Sequence, residues 1–179
     1  MQSRNESRSL AIGLTLISAL GRLVPHAPNV TPLGGSCLFA GSRIGGWLAW
    51  FLPLTVMLIT DPFVGGFRYS SIAVYAAFLI NVWIGRRFVQ NITPVRVGAA
   101  AFAASLQFFL ITNFAIWMES SLGPSRFYAA NLQGLAACYL AAVPFWGRTL
   151  AGDLLFSAAI FGLYELLRSR IASESSATA

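Results

Sequence analysis

The stretch LGGSCLFAGSRIGGWLAWFLPLTVMLIT, residues 33–60, decides the fold, because it is long and apolar but has one polar, glycine-rich interruption. The interruption is GSRIGG at 41–46, which contains three glycines and Arg43. Glycine weakens a helix, and a charged side chain inside an apolar run needs a partner or water. The pattern therefore predicts a short helix over 33–41, a break, and a second helix over 47–60.

Apolar runs of similar length occupy most of the remaining chain. Each run is close to the roughly 20 residues that an α-helix needs to cross a bilayer. The predicted runs are 10–24, 33–60, 70–88, 95–118, 128–145 and 149–167, with a tight turn at 146–148 between the last two. We therefore predict an all-α bundle of about six transmembrane helices, whose second element is broken at 41–46.

The composition agrees with a chain that lipid surrounds. The 179 residues are 56% hydrophobic and only 10% charged, and the mean hydropathy is +0.68. An ordinary soluble domain carries about 25% charged residues, so these values exclude a water-soluble globular enzyme, and they equally exclude a disordered chain. We expect a multi-pass protein of the inner (plasma) membrane whose main partner is the lipid bilayer.

The ends of the chain are polar, and the rest forms one predicted domain. We divide the chain into a polar N-terminal segment at 1–9, a transmembrane domain at 10–170 and a disordered tail at 171–179. The start resembles a signal peptide, but no small-residue cleavage site follows before Pro25. It is therefore interpreted as an uncleaved first span.

All twelve basic residues are arginine, and the formal net charge is +6. The arginines stand singly or in pairs between apolar runs and form no basic stripe, which favours contact with lipid headgroups over nucleic acid. Six crossings would place six arginines inside and five outside. A second run that crosses twice would give seven against five, and neither count fixes the orientation.

A proline-rich loop follows the first run. PHAPNVTP, residues 25–32, has three prolines, which exclude a helix and favour a stiff, extended path. His26, the only histidine, could contact a ligand or respond to pH, or it could be an ordinary interfacial loop residue. Arg22 and Asn29 flank it. The sequon at Asn29 lies too close to the predicted membrane to be a persuasive glycosylation acceptor.

Ionisable residues within or beside the apolar runs are costly there, so each should have a partner. Arg43 at the break could pair with an acid on another helix, and Asp61 and Asp153 are the candidates. Alternatively, Asp61 would be a solvated helix end, and Asp153 would complement the dipole in the first turn of its own helix. Gly41 and Gly45 have the spacing that permits close helix approach.

Asn113 and Trp117 lie four residues apart and therefore share a helical face. A buried amide needs a hydrogen-bond partner, either on another helix or on a ligand. Trp117 could instead anchor the span at the interface. Cys37 and Cys138 form no metal-binding or redox motif and are interpreted as buried thiols, although the sequence leaves a disulfide open.

Sequence motifs of catalysis are absent. The chain has no phosphate loop, HExxH motif, catalytic carboxylate pair or dinucleotide fingerprint, and one histidine cannot complete a zinc site. We therefore predict no enzyme activity, no cofactor and no metal site.

Three strings carry a resemblance: RLVPHAPNVTPLG at 22–34, FLITNFAIW at 109–117 and GLAACY at 134–139. They resemble a family of small, uncharacterised bacterial integral-membrane proteins classed as transport proteins. That family is distantly similar to the S components of energy-coupling-factor transporters, six-helix proteins that capture vitamins or metal ions and dock on a separate ATP-driven module. The resemblance implies a transport class and leaves the substrate open. Helix one, which docks that module in S components, departs from the small-xxx-small pattern with Ala11, Thr15 and Ala19.

We therefore expect a transport protein that binds a small-molecule substrate, a vitamin, metal or similar, inside the bundle. The candidate substrate-binding residues are Arg22, His26, Asn29, Arg43, Asp61, Asn113, Trp117 and Asp153. One alternative is an accessory or assembly subunit of a membrane complex. Another is a membrane-embedded enzyme that would use Arg22, His26 and Asp61.

Overall fold

Six α-helices make up nearly all of the computed structural model, which describes residues 2–25, 27–122 and 127–177 and contains no strand within them. A single 3-10 turn at Gly21–Leu23 extends the first helix. The helices are α1 (Gln2–Leu20), α2 (Leu33–Arg43), α3 (Leu48–Val64), α4 (Ser71–Phe88), α5 (Pro94–Leu122) and α6 (Leu132–Ala177).

Successive helices run in opposite directions, and specific contacts identify the two ends of the bundle. At the loop end, beside the loop at 21–32, Arg22 pairs with Asp61, and the backbone N–H of Ser70 donates to Glu119. At the arginine end, Arg43 donates hydrogen bonds to the carbonyl oxygen of Val89. Hence α1, α3 and α5 end at the loop end, whereas α2, α4 and α6 run toward the arginine end.

The two ends carry different charge. The arginine end takes its name from the basic side chains that meet there, which are Arg43, Arg86, Arg87, Arg96, Arg168 and Arg170. Arg22 and Arg68 lie at the loop end, and Arg148 lies part-way along α6. The chain therefore has a clear charge asymmetry that the sequence counts alone did not resolve.

The short helix α2 is the centre of the bundle. It spans 11 residues, or about 16 Å, and residues 33–41 are buried without interruption. A helix that is apolar or small on every face must be surrounded by protein. All five other helices contact α2 and cover it. The predicted break is confirmed, because α2 ends at Arg43 and α3 begins at Leu48.

Glycines let α2 and α4 approach each other closely. A Cβ added to Gly41 would collide with the carbonyl oxygen of Val82, and one added to Gly85 would collide with that of Leu38. The close approach predicted at Gly41 is confirmed. Its predicted partner in the motif, Gly45, has open space around it, so the second glycine of the contact comes from α4 instead.

The predicted turn at 146–148 is wrong. Residues 132–177 form one helix of 46 residues, about 69 Å long, with Pro144 inside it. The helix continues because its side lies along α5, and because Thr149 donates a hydrogen bond to the carbonyl of Phe145 across the expected turn. The helix also continues to Ala177, into the segment expected to be a tail.

Two of the described helical segments are long and apolar enough to cross a membrane, namely Pro94–Ser121 and Leu132–Ser173. The 17-residue helix α3 is apolar but shorter. The six helices of the structure also differ from the six predicted spans, because run two became two helices and runs five and six became one. The all-α class is thus established, whereas a bundle of six spans is not.

Candidate functional site

A cavity of about 410 Å³ opens between α4, α5 and α6 under the proline-rich loop. We call it the loop cavity. Its lining residues are Asn29, Val74, Phe108, Phe109, Thr112, Asn113, Ile116, Ala142, Phe145, Trp146 and Thr149. Pockets that hold small ligands have volumes of about 300–1,000 Å³ and combine apolar walls with a few polar groups, and the loop cavity fits both criteria.

The loop reaches the cavity because its backbone turns sharply at Asn29. Asn29 has φ +66°, a left-handed conformation that asparagine tolerates better than most residues. The N–H of Val30 donates to the carbonyl of Ala27 across this turn. The loop then packs on α6, where Val30 lies over Gly152, which has no side chain to hold it away. Asn29 is thereby fixed at the rim of the cavity.

Aromatic rings form the wall between α5 and α6. The ring centroid of Phe109 lies 5.3 Å from that of Trp146 and 5.5 Å from that of Tyr139. The hydroxyl of Tyr139 donates to the carbonyl of Leu110, which ties the two helices together at this level. Rings packed at these distances stabilise one another and form a stiff apolar surface.

The polar groups of the cavity make hydrogen bonds within the protein that leave some of their donors and acceptors without a partner. The amide nitrogen of Asn113 donates to the carbonyl of Phe109 at 2.8 Å, which leaves its oxygen as an acceptor. The hydroxyls of Thr112 and Thr149 likewise donate to carbonyls of their own helices. The indole N–H of Trp146 is buried and has no hydrogen-bond partner in the described chain. Such an unpaired donor is uncommon.

The lining is electrically neutral. None of the described residues that line the loop cavity is charged. Nor do the described residues contain a group of three His, Cys, Asp or Glu side chains that could hold a metal ion. The described lining therefore offers aromatic faces and neutral amide and hydroxyl groups.

Two predicted site residues, Arg22 and Asp61, form an ion pair away from this cavity. An Arg22 Nη1 lies 2.8 Å from an Asp61 oxygen, and Tyr75 donates its hydroxyl hydrogen to the other oxygen. Asp61 is only 9% exposed, so the expectation of a solvated helix end is wrong. Both of its oxygens are engaged by the protein, which favours a role in holding α1, α3 and α4 together at the loop end.

Arg43 does not pair with either predicted acid. Its guanidinium donates to the backbone carbonyls of Val89 and Gln90, just beyond the end of α4, and its Nε donates to Ser42. The last carbonyls of a helix have no partner within the helix, so an arginine can satisfy them. The pairing prediction failed because a backbone acceptor was nearer than any carboxylate.

Asp153 is buried, with 4% exposure, and lies in the middle of α6 rather than in its first turn. The expected interaction with the dipole of its own helix is therefore wrong. Instead the carboxylate lies against Gly34, in the first turn of α2, where a side chain would collide with it. The N-terminal end of a helix favours negative charge, so α2 supplies the electrostatic partner.

Two buried serines lie beside this carboxylate. Ser105 is close enough to interact with Asp153 but forms no well-directed hydrogen bond. Ser157, one turn further along α6, packs against Gly35 and has no hydrogen-bond partner in the described residues. Asp153 lies one helical turn after Thr149 in α6. Neither Asp153 nor the two serines line the loop cavity.

The remaining candidates divide clearly. Asn29 and Asn113 both line the loop cavity. The indole N–H of Trp117 donates to the carbonyl of Ala129, and Trp117 is not part of the lining. His26 lies outside the described residues. Cys37 and Cys138 are buried free thiols, so the disulfide left open by the sequence is not formed.

Sequence reasoning missed Trp146 and Thr149. The sequence predicts a turn at 146–148, so Trp146 is not expected to lie within a helix. The available signal was spacing, because Phe145, Thr149 and Asp153 follow one another at intervals of four residues and so share a face of a continuous helix.

The sequence matches one family, described as "Family of unknown function (DUF6580)", over residues 2–176. No curated protein matches the chain, and no solved structure matches it.

Proposed function

The chain belongs to this family of unknown function, and we propose that it is a multi-pass inner-membrane protein that binds an uncharged small molecule in the loop cavity as part of a transport process. The observation that carries the proposal is the cavity itself, which combines an aromatic wall with the Asn113 amide, whose nitrogen is bonded within α5 and whose oxygen is left as an acceptor. The membrane location, the ligand and the transport role are argued in turn.

The membrane location is supported by the outer surface of the bundle. Large apolar side chains point outward in every helix except the buried α2, with exposures such as 72% at Ile17, 80% at Phe63, 76% at Ile72 and 72% at Leu140. Monomeric soluble proteins rarely expose contiguous apolar surface on this scale. The alternating helices and the two long apolar helices agree with several crossings.

The charge asymmetry supports an orientation. Cytoplasmic segments next to membrane spans carry an excess of Arg and Lys. The arginine end would therefore face the cytoplasm, and the loop cavity would open toward the opposite side. A site on that side would meet a nutrient that arrives from outside the cell, as expected for uptake.

The ligand class follows from the lining. A neutral site gives no charge to balance a metal ion or a strongly ionised compound, so those ligands would be poorly stabilised away from water. The oxygen of Asn113 favours a ligand with a donor, and the aromatic wall favours one with flat faces. A flat heteroaromatic molecule, such as an uncharged vitamin precursor, offers both features and would stack against the rings.

Transport would require energy from elsewhere. The sequence has no nucleotide-binding motif, so a separate ATP-driven module or an ion gradient would drive release on the cytoplasmic side. The resemblance to S components supports the first of these, with this chain as the capturing subunit.

The experiment is native mass spectrometry of the full chain, purified in mild detergent from the membranes of its own cells. We expect a retained molecule of a few hundred daltons in wild type. Ala142→Phe fills the cavity and should abolish retention, because Ala142 is part of the lining. Ala141→Phe, next to it on the exposed face, is the matched control and should retain the molecule.

Two outcomes would contradict the proposed ligand site. One is equal retention by both phenylalanine variants, which would place the molecule elsewhere. The other is the absence of any retained molecule together with no binding of uncharged heteroaromatic probes to wild type. Recovery of the chain in the aqueous fraction without detergent would remove the membrane location itself.

A further inference from the structure

A second cavity, of about 450 Å³, lies between α4 and α5 at the arginine end. We call it the arginine cavity. Its lining residues are Ile84, Arg87, Phe88, Arg96, Ala99, Ala100 and Ala103. One part of the lining is basic and the other is apolar, with small alanine side chains that leave a shallow groove along α5. A molecule with a negatively charged group and an apolar chain would match both parts of this lining.

The two arginines keep their charge available. Neither Arg87 nor Arg96 has an ion pair with any described acidic residue, and Arg87 lies 5.6 Å above the ring of Phe88. Other arginines are already engaged, since Arg22 pairs with Asp61 and Arg43 binds backbone carbonyls. Both arginines line the same cavity, so an anion bound there can interact with both guanidinium groups.

Guanidinium groups bind phosphate with particularly good geometry, because their planar donors match its oxygens. Basic pockets between helices on the cytoplasmic side of a membrane bind the headgroups of anionic lipids. The apolar groove beside the arginines is where an acyl chain would lie. Charge complementarity and the amphiphilic lining together favour a lipid over a free ion.

We infer that the arginine cavity binds an anionic phospholipid, with its phosphate between Arg87 and Arg96 and an acyl chain along Ala99 and Ala103. The inference rests on the proposed membrane location, with the arginine end on the cytoplasmic side. It is independent of the loop cavity and its ligand.

The test is a competition between phosphatidylglycerol and phosphatidylcholine of the same acyl chains, added to the purified full chain and read by native mass spectrometry. Arg87→Gln with Arg96→Gln should lower the preference for phosphatidylglycerol by about tenfold or more. Arg68→Gln with Arg148→Gln removes the same net charge away from the cavity and should leave the preference unchanged. Arg87→Lys with Arg96→Lys keeps the charge but loses the planar donors, so it should lower the preference less than the glutamine pair does.

Three results would overturn the inference. The two glutamine pairs could lower the preference equally, which would indicate general charge attraction. The Arg87 and Arg96 pair could have no effect. Excess inorganic phosphate could displace the lipid, which would indicate a site for free phosphate. The molecule retained in the loop cavity appears in the same spectra, so loss of one binding event is distinguishable from loss of the other.

Discussion

The surroundings of α2 and the loop cavity are built on opposite principles. Around α2, backbones touch through Gly41 and Gly85, and side chains of α6 pack directly against Gly34 and Gly35, so no space is left. In the loop cavity, packed rings form one wall, and about 410 Å³ of open space lies beside them. A closely packed region contributes stability, whereas a region that keeps open space is available to a ligand.

This difference separates two kinds of predicted effect. Substitutions around α2 should change the stability of the bundle and leave any ligand preference intact. Substitutions in the loop cavity should change ligand binding and leave the stability of the bundle nearly unchanged. The largest effects are expected where a buried charge loses its partner.

Asp61→Asn should be the most destabilising of these changes. It keeps the shape of the side chain but leaves the Arg22 guanidinium, whose side chain is 14% exposed, without its counter-charge. Losing one partner of a largely buried ion pair costs about 3 kcal/mol. Thermal unfolding in detergent measures it. Glu165→Gln breaks the exposed pair with Arg168 and should cost less than about 0.5 kcal/mol, and equal costs would contradict this account.

Gly41→Ala should cost about 1–3 kcal/mol, because its Cβ would collide with the Val82 carbonyl. The same substitution at Gly98 or Gly162 meets open space and should stabilise the bundle by up to about 1 kcal/mol, since alanine favours the helix. We therefore predict that the same glycine-to-alanine substitution lowers the stability at Gly41 and raises it at Gly98 or Gly162. Equal signs in unfolding measurements would show that α2 and α4 do not touch as described.

Gly34→Ala should be destabilising only while Asp153 is present. The new Cβ would collide with the Asp153 carboxylate, and Asp153→Ala removes that carboxylate. A double-mutant cycle on thermal stability should therefore give a coupling of about 1–2 kcal/mol. Additive effects would mean that the carboxylate does not lie at the first turn of α2.

Trp146→Phe should have the smallest effect on stability, within about 0.5 kcal/mol, because it removes an N–H that makes no hydrogen bond and keeps an aromatic ring. It should nevertheless weaken retention of the molecule in the loop cavity. Trp47→Phe, on an exposed residue outside the cavity, is the control and should change neither quantity. A large loss of stability at Trp146 would indicate a structural role instead.

The parts of the fold that the sequence predicts are those decided by local chemistry. Glycines and a charge fix the break after α2, and three prolines fix the loop at 25–32. The continuity of α6 through Pro144 and Gly147 is decided by packing along α5, which no local pattern records. The sequence therefore predicts a turn where the structure has a helix.

The sequence likewise predicts only part of the candidate site. Asn29 and Asn113 stand out as polar groups near apolar runs, and both line the loop cavity. The partners of Arg43, Asp61 and Asp153 depend on which helix ends meet, so they could not be read from spacing. Trp146 became visible only once α6 was known to be continuous.

The most direct test of the proposed function is an experimental structure of the chain purified from its own membranes. We predict non-protein density in the loop cavity, within hydrogen-bond distance of the Asn113 amide oxygen. A cavity closed by the surrounding side chains, with that oxygen bonded to the protein, would contradict the claim that this region holds a ligand.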